Sequence, residues 1–286
     1  MPINISTNVA SLRGQRFLNS TTESLSNSYN KLSSGRRINR ASDDAAGLAI
    51  AESLKTTQRI AGIAIRNAQD GISTVSIADG ALDQVAGFLQ RLAELAQQAA
   101  SGSYTNDQRL AMQGEFTALG SEIERIATTT VFNGVPLLSG GNSIVLQIGF
   151  DSKSTSQLVL AQPTATLAGL GLAGTGNSFF SYSLTGNTIE DGQSSARLAI
   201  DGISGALQSM NVLRGSLGSA ESRLLSSISS LQVARENLAA AESRIRDVDV
   251  AIEISELTRL NILQQTGAAI LAQANQQPQL ALTLLR

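Results

Sequence analysis

Apolar residues recur along most of the chain at alternating steps of four and three. One ladder runs Ala61, Ile65, Ala68, Ile72, Val75, Asp79, Leu82, Ala86, Leu89, Ala93 and Ala96. A second runs Ile203, Ala206, Met210, Leu213, Leu217, Ala220, Leu224, Ser227, Leu231, Ala234, Leu238, Ala241, Ile245, Val248 and Ile252. Both persist beyond the roughly three or four heptads that identify a coiled-coil seam. Asp79 and Ser227 interrupt the seams with polar side chains, a device that fixes register more often than it does chemistry. Proline stands only at 2, 136, 163 and 278, so residues 3–135 and 164–277 contain no helix breaker of that kind. Residues 44–100 are expected to form a single rod of roughly 85 Å.

Boundary signals divide this pattern. Ser42-Asp43-Asp44 offers an N-cap with acids at the positive end of a helix. Ser101-Gly102-Ser103 stops the rod, and Thr105-Asn-Asp-Gln108 is a capping box opening a shorter helix. That helix carries Met112, Phe116, Leu119, Ile123 and Ile126 on one face, and Asn133-Gly134 with Pro136 ends it. From Ser143 the period falls to two, through Ile144, Leu146, Ile148 and Phe150. A turn at Asp151–Ser154 and a return through Gln157–Leu160 predict a β-hairpin near 143–160. Residues 161–196 are rich in Gly, Ser and Thr and are expected to be irregular.

The two ends of the chain differ from the middle. Ile5, Val9, Leu12, Leu18, Leu25, Tyr29 and Leu32 make an apolar stripe that stops at Gly35, a helix C-terminus signal. Leu260, Leu263, Gly267, Ile270 and Ala274 continue a helical seam toward Leu280 and Leu284. No charged residue lies between Leu260 and Leu285, yet eight Asn and Gln do. A solvent-facing helix would carry charge opposite its apolar stripe, and a membrane span would not carry so many amides. Such a helix is best satisfied among other helices. Sticky helices at both ends, joined by coiled-coil rods, predict a chain that polymerises through an interface that does not close on itself.

Composition narrows the chemistry. The chain has 286 residues, 42% of them hydrophobic, only 3% aromatic and none Trp. Ala and Leu carry the core, which suits close helix packing. Cysteine and histidine are both absent, which removes thiol nucleophiles, disulfides, Ser-His-Asp triads and the usual zinc sites. A net charge of -2 with no clustered basic face gives no footprint for nucleic acid. No metal or cofactor is expected. No stretch has the length of a membrane span, and the start of the chain lacks a signal-peptide pattern, which predicts either a cytosolic protein or export without a cleaved leader. Asp43/Asp44 and Asp247/Asp249 are the acid pairs a catalytic reading would choose, but helix termini explain them better.

At its ends the chain resembles the bacterial flagellins. Leu32-Ser-Ser-Gly-Arg-Arg-Ile-Asn39, Asp43-Asp-Ala-Ala-Gly-Leu-Ala-Ile-Ala51, Arg66-Asn-Ala-Gln-Asp-Gly-Ile72 and Phe132-Asn-Gly134 are similar to that family's N-terminal motifs. Ser243-Arg-Ile-Arg-Asp-Val-Asp249, Ile262-Leu-Gln-Gln265, Leu271-Ala-Gln-Ala-Asn-Gln-Gln-Pro-Gln279 and Leu284-Leu-Arg286 match its C-terminal ones. The resemblance covers about 1–160 and 197–286. It implies a mainly α fold, a long antiparallel coiled-coil bundle with a small β-hairpin region. Residues 1–33 and 250–286 would form an inner coiled-coil layer, 34–43 a spoke, and 44–249 an outer helical layer. With only 161–196 left over, no large outer domain is expected.

The function implied is that of a filament subunit for swimming motility, exported unfolded by the flagellar type III route and located outside the cell. Its implied partners are copies of itself, an export chaperone, and cap and junction proteins, with neither nucleic acid nor membrane among them. Two alternatives stay open: a hook–filament junction protein, and a secreted monomeric adhesin or immune ligand. The assembly seams would comprise Ile5, Val9, Leu12, Leu25, Leu32, Leu260, Leu263, Ile270, Leu280 and Leu284. Leu89-Gln-Arg-Leu-Ala-Glu-Leu95 and Glu115 also resemble the stretch by which Toll-like receptor 5 detects flagellins, which implies Gln90, Arg91, Leu95 and Glu115 as receptor contacts. Arg91 and Leu95 stand one turn apart and outside the first ladder as drawn above; an ion pair between Arg91 and Glu115 is the competing role.

Terminal helices without tertiary partners are unstable in water. Hydrogen exchange on the monomer is therefore expected to find residues 5–32 and 260–285 poorly protected and the two long ladders well protected. Strong protection throughout both terminal stretches would overturn this.

Overall fold

The computed structural model describes residues 7–174 and 180–284, without the side chains of residues 277–284. Among the described residues there are five α-helices: α1 (Val9–Ser34), α2 (Ala45–Ala100), α3 (Asn106–Thr129), α4 (Ile189–Arg246) and α5 (Val250–Leu284). Two antiparallel hairpins, β1 (Val131–Phe132) with β2 (Val135–Pro136) and β3 (Ile144–Gln147) with β4 (Gln157–Leu160), and a 3-10 turn at Ser154–Ser156 complete the regular structure. The chain divides into two compact units, residues 1–58 with 236–286, and residues 59–235. The mainly α architecture and the hairpin near 143–160 agree with expectation.

The local signals explain these elements. Thr105 and Gln108 form the capping box of α3 in both directions. Asp44, rather than Ser42, caps α2, its Oδ1 accepting the Gly47 N–H at 2.8 Å. Gly35 closes α1 in the left-handed region at φ 69, with its N–H donated to Leu32 and that of Arg36 to Lys31. Asn133 (φ 49) and Gly134 (φ 79) make the two-residue turn between β1 and β2, where a primed turn matches strand twist.

In the 59–235 unit the core is built from Leu, Ala and Ile of α2 and α4, with Phe116 and Ile123 of α3. Along α2 the first half of the expected ladder holds: Ala61, Ala68, Val75, Leu82, Leu89 and Ala96 are buried. Ile65 of the second half is buried as well, but the rest of that half is shifted. Ala64, Gly71, Ala78, Val85, Leu92 and Ala99 are the buried partners, while Ile72, Asp79, Ala86 and Ala93, one residue later, are half-buried. Asp79 instead meets Arg214 of α4 at 2.9 Å. The ladder on α4 holds at Ile203, Ala206, Met210, Leu217, Leu224 and Leu231. It does not continue to Ile252, which lies beyond the break after Arg246 and is 68% exposed.

The stretch expected to be irregular, 161–196, is shorter and better packed than the sequence suggested. Helix α4 begins at Ile189, where Thr188 Oγ1 accepts the Asp191 N–H and Asp191 Oδ2 accepts the Thr188 N–H, both at 3.1 Å. Gly192, Ser194 and Ser195 dilute the apolar pattern there and hide the first turns. Before it, Leu167, Leu170, Leu172 and Leu184 are buried in the same core. Phe180 packs edge-on against Phe116, with centroids 4.9 Å apart, in space that a side chain on Gly120 would occupy.

Arg109 is fully buried. Its guanidinium donates to Ala99 O at 2.8 Å, Ser101 O at 2.9 Å and Asn106 Oδ1 at 3.3 Å. The cation thus satisfies carbonyls that α2 leaves open at its C-terminus, where the helix dipole favours positive charge.

Candidate assembly surface

In the unit formed by 1–58 and 236–286, α1 and α5 run side by side and antiparallel. Asn8 donates to Ala274 O at 2.8 Å, and Gln264 to Thr22 Oγ1 at 3.4 Å. The face of α1 turned to α5 follows a regular three-four spacing through Ser11, Gly14, Leu18, Thr21, Leu25, Ser28 and Leu32. Only Leu18, Leu25 and Leu32 among these are large and apolar. The others are small, so the helices approach closely but bury little. A Cβ on Gly14 would stand 3.0 Å from Leu271 Cδ1, whereas one on Gly267 would meet Phe17 and Leu18 at 3.6 Å or more.

Many large apolar residues nevertheless keep about half of their surface open. Val9, Leu12, Phe17 and Tyr29 of α1 are 50–52% exposed, and Val250, Ile252, Ile254, Ile262 and Ile270 of α5 are 50–68% exposed. Among the seam residues expected from the sequence, Leu25 and Leu260 are buried, Leu32 and Leu263 are half-buried, and Val9, Leu12 and Ile270 face outward. Leu271 takes the inward place beside Ile270. Ile5 lies outside the described residues, as do the side chains of Leu280 and Leu284. Phe17, Ile254 and Ile262 were not singled out by the sequence reading. Phe17 and Ile262 stand beside the seam residues Leu18 and Leu263, and a single stripe does not register a second apolar face.

The connections into and out of this pair brace one another. Arg37 donates its N–H to Arg246 O and its Nη2 to Ile245 O at 2.7 Å, and Val248 N–H donates to Gly35 O at 3.1 Å. Arg246, 9% exposed, bonds Glu52 at 2.7 Å, and that guanidinium holds the Glu52 carboxyl below its ordinary value. Three of the four acids in the two pairs, Asp43, Asp44 and Asp249, serve helix ends or turns. Asp43 accepts from the N–H groups of Arg40 and Asn39, which keep its carboxyl low. Asp249 accepts from Ala251 and Ile252 at the start of α5.

The four residues implied as receptor contacts are not equivalent. Gln90, Arg91 and Glu115 are exposed. Arg91 pairs with Glu115 at 2.8 Å and Glu94 at 2.9 Å, and these carboxylates raise its pKa. Leu95, expected outside the seam, is 2% exposed and part of the core. The buried face of α2 is wider than a two-position stripe because Leu92, Leu95 and Ala99 join it.

A helix pair with many small residues at its contact and many large apolar residues left half open is built as a structural subunit, with surface for other copies to cover. Residues 5–143 match the model of the bacterial flagellin N-terminal helical region, and residues 200–285 that of the bacterial flagellin C-terminal helical region. A flagellin of Halalkalibacterium halodurans is 43% identical over 256 residues, 90% of each chain. The flagellar filament 30.7 kDa core protein of Treponema maltophilum is 37% identical over 290 residues, covering 98% of this chain and 99% of its own. A putative flagellar hook-associated protein from Vibrio parahaemolyticus shares the fold, with a TM-score of 0.58 over 72% of this chain and all of its own at 14% identity. The chain belongs to the bacterial flagellins and is a structural subunit of the flagellar filament. No described helix is long and apolar enough to cross a membrane.

Glycine at 14 and at 267 should respond differently to alanine. Helix propensity favours alanine by about 1 kcal/mol at both, but only at Gly14 must Leu271 give way. Gly267→Ala is expected to raise the heat-depolymerisation midpoint of filaments, and Gly14→Ala to raise it less or lower it. Equal shifts would show that the Gly14–Leu271 approach carries no weight.

Proposed function

We propose that α1 and α5 form the inner layer of the filament, and that the half-exposed residues Val9, Leu12, Phe17, Ile262 and Ile270 are its contacts between subunits. Residues 1–33 and 250–286 contribute this layer, 34–43 the spoke, and 44–249 the outer helical layer. The observation that carries the reading is the large apolar surface left open on a helix pair too poorly filled to stand alone. Leu280 and Leu284 extend the same seam. The chain crosses the envelope unfolded through the type III route, held by a chaperone and added beneath a cap, and the protein has no enzymatic role. Ile262→Ser combined with Ile270→Ser is expected to abolish polymerisation and leave the helicity of the 59–235 unit unchanged. Polymerisation at the wild-type critical concentration would reject the assignment.

We further propose that Gln90, Arg91 and Glu115 form a contact for Toll-like receptor 5 on the free monomer, supported by their shared exposure and the Arg91–Glu115 pair. Leu95 supports that surface from beneath. A reporter assay is expected to lose most signal with Arg91→Ala at unchanged thermal stability. Leu95→Ala should first cost about 2–5 kcal/mol of stability, as core truncations do. Undiminished signalling by Arg91→Ala would remove the contact assignment.

A further inference from the structure

The outward face of α1 carries a charge pattern that the apolar contact does not use. Arg13 and Arg16 are exposed, one turn apart, and make no ion pair among the described residues. Glu23 is exposed on the same side of the helix and is likewise without an ion-pair partner there. It lies seven residues beyond Arg16, about 10 Å along the axis, whereas a pair within one helix needs a spacing of three or four. The neighbouring helix offers nothing instead, because α5 has no charged residue after Arg259 in its described length. The next cation along α1, Lys31, already lies in the field of Asp43 and Glu256.

Glu23 lines an open polar groove with Asn19, Thr22, Ser26, Asn30 and Arg40. The groove is wide enough for a long side chain, and its only carboxylate is Glu23. We infer that the occupant is Arg13 or Arg16 of a second copy of this chain, and that this pair sets the axial register of subunits. The inference rests on the assembly reading above. Where neighbouring copies run parallel, as in a propagating filament, donor and acceptor at different heights on α1 make the contact heterologous: each copy offers its arginines to one neighbour and its Glu23 to another, and the series does not close. Apolar residues on the same face supply adhesion but no direction, whereas opposed charges penalise a slipped alignment. Arg40 shares the groove and would repel an arginine that entered without reaching Glu23.

The test is a charge exchange in the full chain, with seeded polymerisation followed at low salt and monomer helicity checked by circular dichroism. Arg13→Glu with Arg16→Glu, and separately Glu23→Arg, should each raise the critical concentration about tenfold or more. The triple variant should return it to within about threefold of wild type, and the differences should shrink in 1 M salt. Charge variants that polymerise like wild type would overturn the register, as would a triple variant no better than its parents at equal helicity. If Arg13 and Arg16 instead prove necessary only for binding phosphatidylglycerol vesicles, the face is a membrane contact and the inference also falls. Failure of the wild-type chain to polymerise would count against the assembly reading itself, which separates the two.

Discussion

The contact between α1 and α5 is built on small residues. Ser11, Gly14, Thr21 and Ser28 occupy alternate inward positions of α1, and Ser28 Oγ is buried without a hydrogen-bond partner. Burial yields about 25 cal/mol per Å² of apolar surface, so a face in which every second position is glycine or a hydroxyl gains little from pairing. Most of a protein helix's stability comes from tertiary packing of its apolar face rather than from propensity. In the proposed assembly, the apolar surface that α1 and α5 leave open supplies what this contact lacks once another chain covers it. A folded subunit with nothing left to bury would have no reason to polymerise.

The 59–235 unit is built on the opposite plan. Its inward positions are filled by Leu82, Val85, Leu89, Leu92, Phe116 and Ile123, all fully or nearly buried. The strap before α4 adds Leu167, Leu172 and Leu184. Its one buried cation, Arg109, is bonded to three oxygens that would otherwise be left open where α2 ends and α3 begins. Removing that side chain would strand two carbonyls in the interior, a larger cost than a surface pair carries. One unit is therefore complete as a monomer and the other is not, and the two plans assign stability and assembly to different parts of one sequence.

Much of this was legible in the residues, for physical reasons. The capping box at Thr105–Gln108, the turn at Asn133–Gly134 and the hairpin at 144–160 depend on local chemistry, and local chemistry is what a sequence displays. The phase of the α2 seam was only half legible, because apolar residues are doubled at 64/65, 71/72, 85/86 and 92/93 and periodicity does not choose between neighbours. Size would have chosen correctly at two of them: Val85 over Ala86, and Leu92 over Ala93. Leu95 was misplaced by the same error. The inward face of α1 was least legible, since serine, threonine and glycine do not read as a seam until α5 lies against them.

Assembly by apolar contact alone leaves a problem of specificity, because burial is non-directional and roughly proportional to area. Charge in the interior of an interface would restore direction but must be paired or left unsatisfied at high cost. The segment after Arg259 resolves this by replacing charge with amides, which tolerate burial when hydrogen-bonded. Direction must then come from features outside that segment. Gly14 lies close to Leu271, an approach that would hold α1 against α5 within a subunit. With that register fixed, Arg13, Arg16 and Glu23 stand at defined heights, and a charge at a defined height can report a misalignment that an apolar surface would accept.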